Sequence, residues 1–276
     1  MSDLSFHLVD RIDDLVPERS ARGHLAIPAD MSEFPACLVV EAIGQLAAWV
    51  AMQRASFERR PVAARAADVR VFGTVPPGAR LELEISVQSC KSVAIAYEGE
   101  GRIGGKPVVE LRGAAGAMLP MSEFDSPDAA RARFEALLTT GLAARRFPER
   151  AAFAPAVLSR EKTAGRIAAE LQASPPGPLY ADHFARRPVY PATLLLDAQL
   201  RLAFELLPGW SPSAAGDLPP GSRLRQVKVR SFTAPSGRVS VVAEAREGNP
   251  LEIELRAHAD GKRVSSATLF APPRSV

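Results

Sequence analysis

An internal repeat constrains the fold of this chain more than any other feature of its sequence. FPACLVVEAIGQLA at 34–47 aligns with YPATLLLDAQLRLA at 190–203, and Pro35 falls on Pro191 at an offset of 156 residues. GGKPVV and DGKRVS match at the same offset. Between these matches, VRVFGTVPPGARLELEISV resembles VKVRSFTAPSGRVSVVAEA at a slightly different offset. Three matches in one order predict that a single structural unit occurs twice.

The composition agrees with two globular units. The chain has 276 residues, of which 47% are apolar and 24% charged. This length suffices for two domains of ordinary size. With 34 basic and 31 acidic residues the net charge is +3, so the sequence gives no signature of nucleic-acid binding.

Each copy predicts an apolar helix followed by an antiparallel meander, an α+β arrangement in which the sheet wraps around the helix. The first copy (1–120) predicts a helix over 36–53 and strands near 67–73, 79–89, 92–102 and 107–118. The second copy (161–276) predicts a strand near 163–173, a helix over 192–206 and strands near 223–231, 238–246, 250–258 and 263–270.

The stretch between the copies, 121–160, is predicted to be a helical connector. Ser126 is a suitable N-cap, Pro127 a suitable first helical residue and Gly141 a suitable terminator. These signals predict one helix between Ser126 and Gly141. The rest of the connector is rich in Ala, Arg and Pro.

Each predicted helix carries one acid in an otherwise apolar run, Glu41 in the first copy and Asp197 in the second. Charged side chains are usually excluded from such runs. In the second copy, His183 precedes Asp197 by fourteen residues. The acids either serve a buried site or pair with a neighbour or solvent at the helix surface.

The motif around His183 resembles a known family. HFARRPVYPATLLLDA has the form His-Phe-x3-Pro-x2-Pro, followed by a helix start and the acid. It resembles the beta-hydroxyacyl-[acyl-carrier-protein] dehydratases of fatty-acid synthesis, whose fold is the hotdog. The first copy resembles the same family through FPACLVVEAIGQLA, and FHLVDRIDDLVP resembles the segment before the family's first strand. The resemblance implies a tandem double hotdog.

The family's paired arrangement implies two unequal sites. His183 of the second copy would face Glu41 of the first, and these two are the implied catalytic pair. Asp197 would face whatever replaces the histidine in the first copy. The 156-residue offset leads there to Ile27, whereas His24 fits only if the loop holds three extra residues. We therefore expect one working site and one degenerate site.

Dehydration of a beta-hydroxyacyl thioester needs a base, an acid and a group that stabilises negative charge on the thioester carbonyl. A neutral histidine suits removal of the C2 proton, and a protonated carboxyl suits departure of the hydroxyl. The N–H of Ala192, directly after Pro191, is the candidate oxyanion donor, because first-turn N–H groups have no acceptor inside a helix. The family generally has glycine at the position of Ala192.

Other residues of the motifs are candidates for supporting roles. Phe184 and Tyr190 are expected to contact substrate, and Tyr190 is larger than the residue usual in the family. Gln45 is expected either to hold the catalytic acid or to pack between helices. Its counterpart in the second copy is Arg201.

The sequence implies no cofactor, because it has no phosphate-binding glycine loop, nucleophile elbow or metal-ligand spacing. Cys37 and Cys90 suit a reducing cytoplasm, and the N-terminus lacks an export signal. The most apolar window is interrupted by Glu41 and Gln45, so no membrane association is expected. Thus the chain is expected in the cytoplasm.

The expected partner is an acidic acyl carrier protein, with coenzyme A as an open alternative. Arg186, Arg187 and the stretch 223–230 are the candidate docking rim, although the last also fits a solvated strand face. Two other functions stay open: a hotdog acyl thioesterase, and a degenerate acyl-binding or scaffold protein of a fatty-acid or polyketide synthase. The state of assembly stays open between a monomeric pseudo-dimer and a homodimer.

Overall fold

The computed structural model describes residues 6–31, 34–142, 154–175, 183–207 and 218–273. Within these ranges one antiparallel sheet contains the strands β1 (Arg11–Val16), β2 (Ser20–Ala26), β3 (Arg59–Val71), β4 (Arg80–Cys90), β5 (Ala94–Ile103), β6 (Lys106–Pro120), β7 (Ala156–Thr163), β8 (Arg166–Gln172), β9 (Arg223–Val229), β10 (Arg238–Arg246), β11 (Asn249–Ala259) and β12 (Lys262–Phe270). The helices are α1 (Ala36–Arg54), α2 (Pro127–Leu138), α3 (Ala192–Phe204) and a 3₁₀ helix (Met121–Glu123).

The order of strands reveals the repeat. The sheet runs β1-β2-β4-β5-β6-β3-β9-β12-β11-β10-β8-β7, so its second half repeats the first half in reverse order around the β3–β9 pair. Outside the strands, Phe34 bridges to Val75 and Tyr190 bridges to Thr233. Phe34 and Tyr190 are one repeat offset apart, each just before a long helix. The repeat predicted from the sequence is therefore confirmed.

The helix α1 lies in the core because the sheet closes around its apolar side chains. Pro35 fixes the extended backbone before the helix (φ −62°, ψ 142°). Among the described helices, α1 is the one long and apolar enough to cross a membrane, yet 67% of that segment is buried inside the protein. Glycine on β5 permits this burial: a Cβ on Gly99 would lie only 2.6 Å from Cγ2 of Ile43.

The predicted helices are confirmed to within two residues at their ends. The α1 helix ends one residue beyond the prediction, and α3 ends two residues before it. In α2, the Ser126 hydroxyl accepts a hydrogen bond from the N–H of Ala129 at 3.4 Å. Gly141 beyond α2 has φ 74°, a value that favours glycine. Residues 143–153 of the predicted connector lie outside the described residues.

The strands that the sequence did not predict are those without an alternating apolar pattern. β1 forms in the segment compared only with the family's N-terminus, and β2, which contains His24, follows it. β3 begins at Arg59, eight residues earlier than predicted. β7 lies partly inside the predicted connector, and all its residues are exposed. This edge strand forms through backbone hydrogen bonds to β8. Because backbone pairing does not require apolar side chains, the hydrophobic periodicity of the sequence does not reveal it.

The two halves meet where β3 pairs with β9, from Arg65 opposite Lys228 to Arg70 opposite Arg223. Asp68 lies in this seam, 8% exposed. Arg223 donates to both of its carboxylate oxygens, one contact being 3.0 Å, and Nε of Arg70 donates at 2.8 Å. Burial by itself raises the pKa of Asp68, but the hydrogen bonds and charges of Arg223 and Arg70 outweigh it and lower the pKa.

We predict that Asp68→Asn weakens the seam in a pH-dependent manner. Because the folded-state pKa is below the unfolded value of about 3.9, the contribution is present above that value and is lost as pH falls through the folded pKa. The free energy of unfolding should fall by about 1–3 kcal/mol at neutral pH, and the difference from wild type should shrink in acid. Urea unfolding across pH measures both effects.

The matched control is Asp14→Asn, which removes an exposed pair with Arg22. Such a pair contributes about 0–1 kcal/mol. A difference between Asp68→Asn and wild type that stays constant into strong acid would contradict the prediction.

Candidate active site

A cavity of about 180 Å³ lies between the two long helices and the strands at the seam. Its wall is mainly apolar and comes from both halves, with Val40, Val62, Ile95, Leu111, Leu196 and Val227 among the lining residues. Polar residues also line it, among them Glu41, Gln45, Tyr97, His183 and Thr193, together with Arg60 and Arg65. Apolar cavities with a few convergent polar groups are typical of sites for small molecules.

Glu41 is held from both halves of the protein. Its side chain is 16% exposed. Nε2 of Gln45, one helical turn further along α1, donates to Oε1 at 3.1 Å. The hydroxyl of Thr193, in the first turn of α3, donates to Oε2 at 2.9 Å. Both carboxyl oxygens therefore have a fixed donor, which offsets the free energy lost by burying the group.

Gln45 also ties the N-terminal segment to α1. Its Nε2 donates to the carbonyl oxygen of Phe6 at 2.8 Å, and its Oε1 accepts from the N–H of Leu8 at 2.8 Å. Of the two roles expected for Gln45, the structure thus provides contacts for the first, holding the acid. The same side chain also satisfies backbone groups that would otherwise be buried without partners.

His183 lies in the segment before α3. The N–H of Val189 donates to the carbonyl of His183 at 3.0 Å, and the Nδ1 atom of His183 lies 3.4 Å from the carbonyl oxygen of Val189. A carbonyl only accepts, so Nδ1 carries the hydrogen and Nε2 of the neutral ring keeps a lone pair. The ring of Phe6 contacts the imidazole edge-on, with 5.0 Å between the ring centres, and the ring of Phe184 stacks on it, with 4.4 Å between the ring centres.

His183 and Glu41 face each other across the cavity. Nε2 of His183 lies 4.0 Å from Oε1 of Glu41. This distance exceeds a hydrogen bond, so the two groups can both reach a substrate placed between them. The structure thus brings together the pair that the sequence predicted.

The start of α3 borders the same cavity. Ala192 and Tyr190 line it, and Pro191 is the N-cap of α3. The N–H of Tyr190 donates to the carbonyl oxygen of Thr233 at 2.8 Å, which fixes the backbone just before the helix. No side chain caps the N-terminus of α3. Its first N–H groups and the positive end of the helix dipole are therefore placed beside His183 and Glu41.

The predicted degenerate site is not assembled from His24 and Asp197. Nδ1 of His24 contacts Asp13 at 2.7 Å and Arg80 at 3.0 Å, and neither hydrogen bond nor ion pair joins it to Asp197. Three extra loop residues were needed to bring them together, but His24 belongs to the paired strand β2. Asp197 is 5% exposed, and Ile27, at the position equivalent to His183, is 3% exposed.

Two residues of the site were missed in the sequence. Thr193 is the polar residue in the run TLLL, and the acid it binds is in the other copy. Tyr97 lies on β5, two residues after the buried Ile95. Because alternate residues of a strand share a face, this spacing was the signal that Tyr97 faces the interior. Burial raises the pKa of the Tyr97 phenol, and the negative charge of Glu41 raises it further.

A known protein family matches part of the chain. The family model of the FabA-like domain matches residues 2–112, which contain Glu41. The match confirms the resemblance to the dehydratase family that was predicted from the sequence. No curated protein matches the chain.

Solved structures show the hotdog fold over most of the chain. The dehydratase domain from the CurF module of curacin polyketide synthase is similar with 14% identity and a TM-score of 0.52, over 96% of this chain and 98% of that one. An acyl-ACP thioesterase from Bacteroides thetaiotaomicron is similar with 9% identity and a TM-score of 0.54, over 91% of this chain and 97% of that one. The 12:0-ACP thioesterase from Umbellularia californica is similar with 10% identity and a TM-score of 0.51, over 95% and 100%.

We predict that Gln45→Leu lowers the free energy of unfolding by about 1–3 kcal/mol, because it removes the hydrogen bonds of Gln45 to backbone groups of the buried residues Phe6 and Leu8. Chemical denaturation measures the change. Gln53→Leu makes the same substitution in the last turn of α1 and serves as the matched control. Equal effects of the two substitutions would contradict the role assigned to Gln45.

Proposed function

We propose that this protein is a tandem double hotdog that removes water from a beta-hydroxyacyl thioester to give a trans-2-enoyl thioester. Its hotdog units are 1–120 and 161–276, joined by the connector 121–160. One composite site takes Glu41 from the first unit and His183 from the second. The observation that carries the proposal is the 4.0 Å approach of this pair inside a mostly apolar cavity.

His183 is the proposed base. Its Nε2 lone pair is directed into the cavity because Nδ1–H is engaged by Val189. It removes the C2 proton of the substrate, and the electron pair moves toward the thioester carbonyl. The N–H of Ala192 is the proposed donor to the carbonyl oxygen as negative charge grows there.

Glu41 is the proposed acid. Its Oε1 atom faces His183 and keeps one lone-pair position beyond the hydrogen bond from Gln45. A proton held at that position passes to the departing C3 hydroxyl, which leaves as water. The pair is then His183 protonated and Glu41 ionised, and the return of one proton from the imidazole to the carboxylate restores the starting state.

The mouth of the cavity suits a carrier with negative charge. The guanidinium of Arg60 lies 4.2 Å from the ring centre of Phe184, and that of Arg187 lies 4.7 Å from the ring centre of Phe232. Both phenylalanines line the cavity. Arginines 60 and 187, with Arg186 beside them, thus form a basic rim suited to an acidic acyl carrier protein and its phosphopantetheine arm.

A thioesterase is the second candidate, and one observation favours it. Glu41 accepts hydrogen bonds at both oxygens, which stabilises a carboxylate able to orient an attacking water. Two of the similar structures are thioesterases of acyl carrier protein substrates. This reaction releases a free thiol and leaves no enoyl product, so the two functions have different products.

We predict that His183→Ala and Glu41→Gln each lower kcat/KM by about 10²–10⁴-fold, the usual contribution of a general acid or base, while Asp197→Asn leaves it largely unchanged. Absorbance of the conjugated enoyl thioester follows hydration of the product, offered on acyl carrier protein and on a pantetheine mimic. A thiol reagent in parallel reactions detects hydrolysis.

Each outcome of this assay separates the candidates. Thiol release without enoyl chemistry would establish the thioesterase. Loss of activity in Asp197→Asn with Glu41→Gln active would disprove the composite pair. A wild-type protein inactive in both reactions that still retains acyl carrier protein would indicate an acyl-binding or scaffold function.

We predict that Arg186→Glu/Arg187→Glu raises KM for the carrier-bound substrate by roughly tenfold and leaves the pantetheine mimic unaffected, because like charges then oppose docking. Steady-state kinetics on both substrates measure this. Arg22→Glu, on the distant strand β2, is the control. Equal losses on carrier and mimic would contradict a docking role.

A further inference from the structure

Thr193 makes a contact that the proposed chemistry does not yet use. It lies in the second unit, in the first turn of α3, whereas Glu41 lies in α1 of the first unit. Its hydroxyl donates to Oε2 of Glu41 at 2.9 Å, across 152 residues of sequence. This hydrogen bond links the two units at the site itself.

We propose that Thr193 is a positioning residue that keeps Oε1 of Glu41, rather than Oε2, directed at the substrate. The inference rests on the proposed function, since it assigns a role to the acid of that reaction. Thr193 acts through Glu41 and is not itself assigned a contact with the reacting atoms.

The two carboxyl oxygens of Glu41 have different partners. Oε1 lies 4.0 Å from His183 and receives the amide N–H of Gln45, while Oε2 receives the hydroxyl of Thr193. A carboxyl group held by one donor can rotate about its terminal torsion, which is broad and has a low barrier. Donors on both oxygens remove that freedom, so that the oxygen facing His183 is always the same one.

The two donors also decide where an acid proton can sit. The amide N–H of Gln45 can only donate, so it needs a lone pair on Oε1. Thr193 occupies Oε2 as a donor. Each oxygen keeps one lone pair beyond its donor, and the one on Oε1 lies on the side of His183, so a proton held there keeps both hydrogen bonds intact and points into the cavity. Thr193 therefore makes Glu41 a directed proton donor.

Other titratable or charged groups lie around Glu41. His183 faces it from the segment before α3, Tyr97 from β5, and Arg60 of β3 lines the same cavity. Substitution of Thr193 leaves all three in place. A change of pH dependence in a Thr193 variant thus reports the lost hydroxyl.

The other unit offers an internal control. Cys37 stands at the position equivalent to Thr193, in the first turn of α1, and is 2% exposed. A thiol is a weak hydrogen-bond donor, and the acid of the second unit, Asp197, has no histidine at the expected place opposite it. The hydroxyl is present only at the unit boundary where the catalytic pair is complete.

The test compares Thr193→Val, which keeps the shape and removes the hydroxyl, with Thr193→Ser, which restores it, and with Cys37→Val. Rates are measured against pH on the pantetheine mimic, and unfolding midpoints confirm that each variant folds. In parallel, ¹³C NMR follows carboxyl titration in glutamate-labelled protein, with Glu41→Gln assigning the signal.

For Thr193→Val we expect kcat to fall roughly tenfold with KM within about twofold, because a contact needed in the transition state is lost. In the dehydration direction, in which Glu41 must hold a proton, the alkaline limb of the rate profile and the NMR titration of Glu41 should both move to higher pH, since the carboxylate loses a donor. Thr193→Ser should stay within about threefold of wild type, and Cys37→Val should match wild type in kcat and pH profile.

An unchanged profile and titration in Thr193→Val would overturn the inference, as would a Thr193→Ser variant as impaired as Thr193→Val. The NMR titration tests the positioning contact independently of the proposed function. If wild type performs no dehydration but Thr193→Val still shifts the titration of Glu41, the positioning contact stands and the reaction assignment fails.

Discussion

The pairing of β3 with β9 is the contact on which the rest of the structure depends. It joins two copies of one unit into a single sheet and sets α1 and α3 side by side. This arrangement brings the start of α3 to the acid of α1. Asp68, held by Arg223 from the opposite half, secures the seam with a charged contact whose carboxylate is mostly buried and whose guanidinium is partly exposed.

That arrangement explains how an acid is tolerated in an apolar helix. A buried carboxylate without donors would cost several kcal/mol or become protonated. Glu41 receives one donor from its own helix and a second from the other unit. The apolar wall then excludes water around the group, which strengthens each of these electrostatic contacts. The same features that stabilise Glu41 therefore direct it at His183.

Much of the fold and the proposed catalytic pair could be predicted because those features are local or repeated. Proline, apolar periodicity and the glycine turns defined the helices and most strands of each copy, and the resemblance to the dehydratase family implied His183 and Glu41. β7 could not be predicted, because strand pairing alone sets an exposed edge. Thr193 was missed for a related reason. Its partner Glu41 is far away in sequence, and nothing in its own helix distinguishes Thr193 from an ordinary first-turn residue.

Three differences between the copies fall at the site. Where one copy provides His183, the other has the buried Ile27, and where one has Thr193 the other has Cys37. Gln45, which holds Glu41, corresponds to the exposed Arg201 near Asp197. A tandem unit needs only one complete site, so the second unit does not need the residues that complete the first. Within this proposal, Asp197 lies at the degenerate second site, and the hydroxyl of Thr193 lies where the reaction uses it.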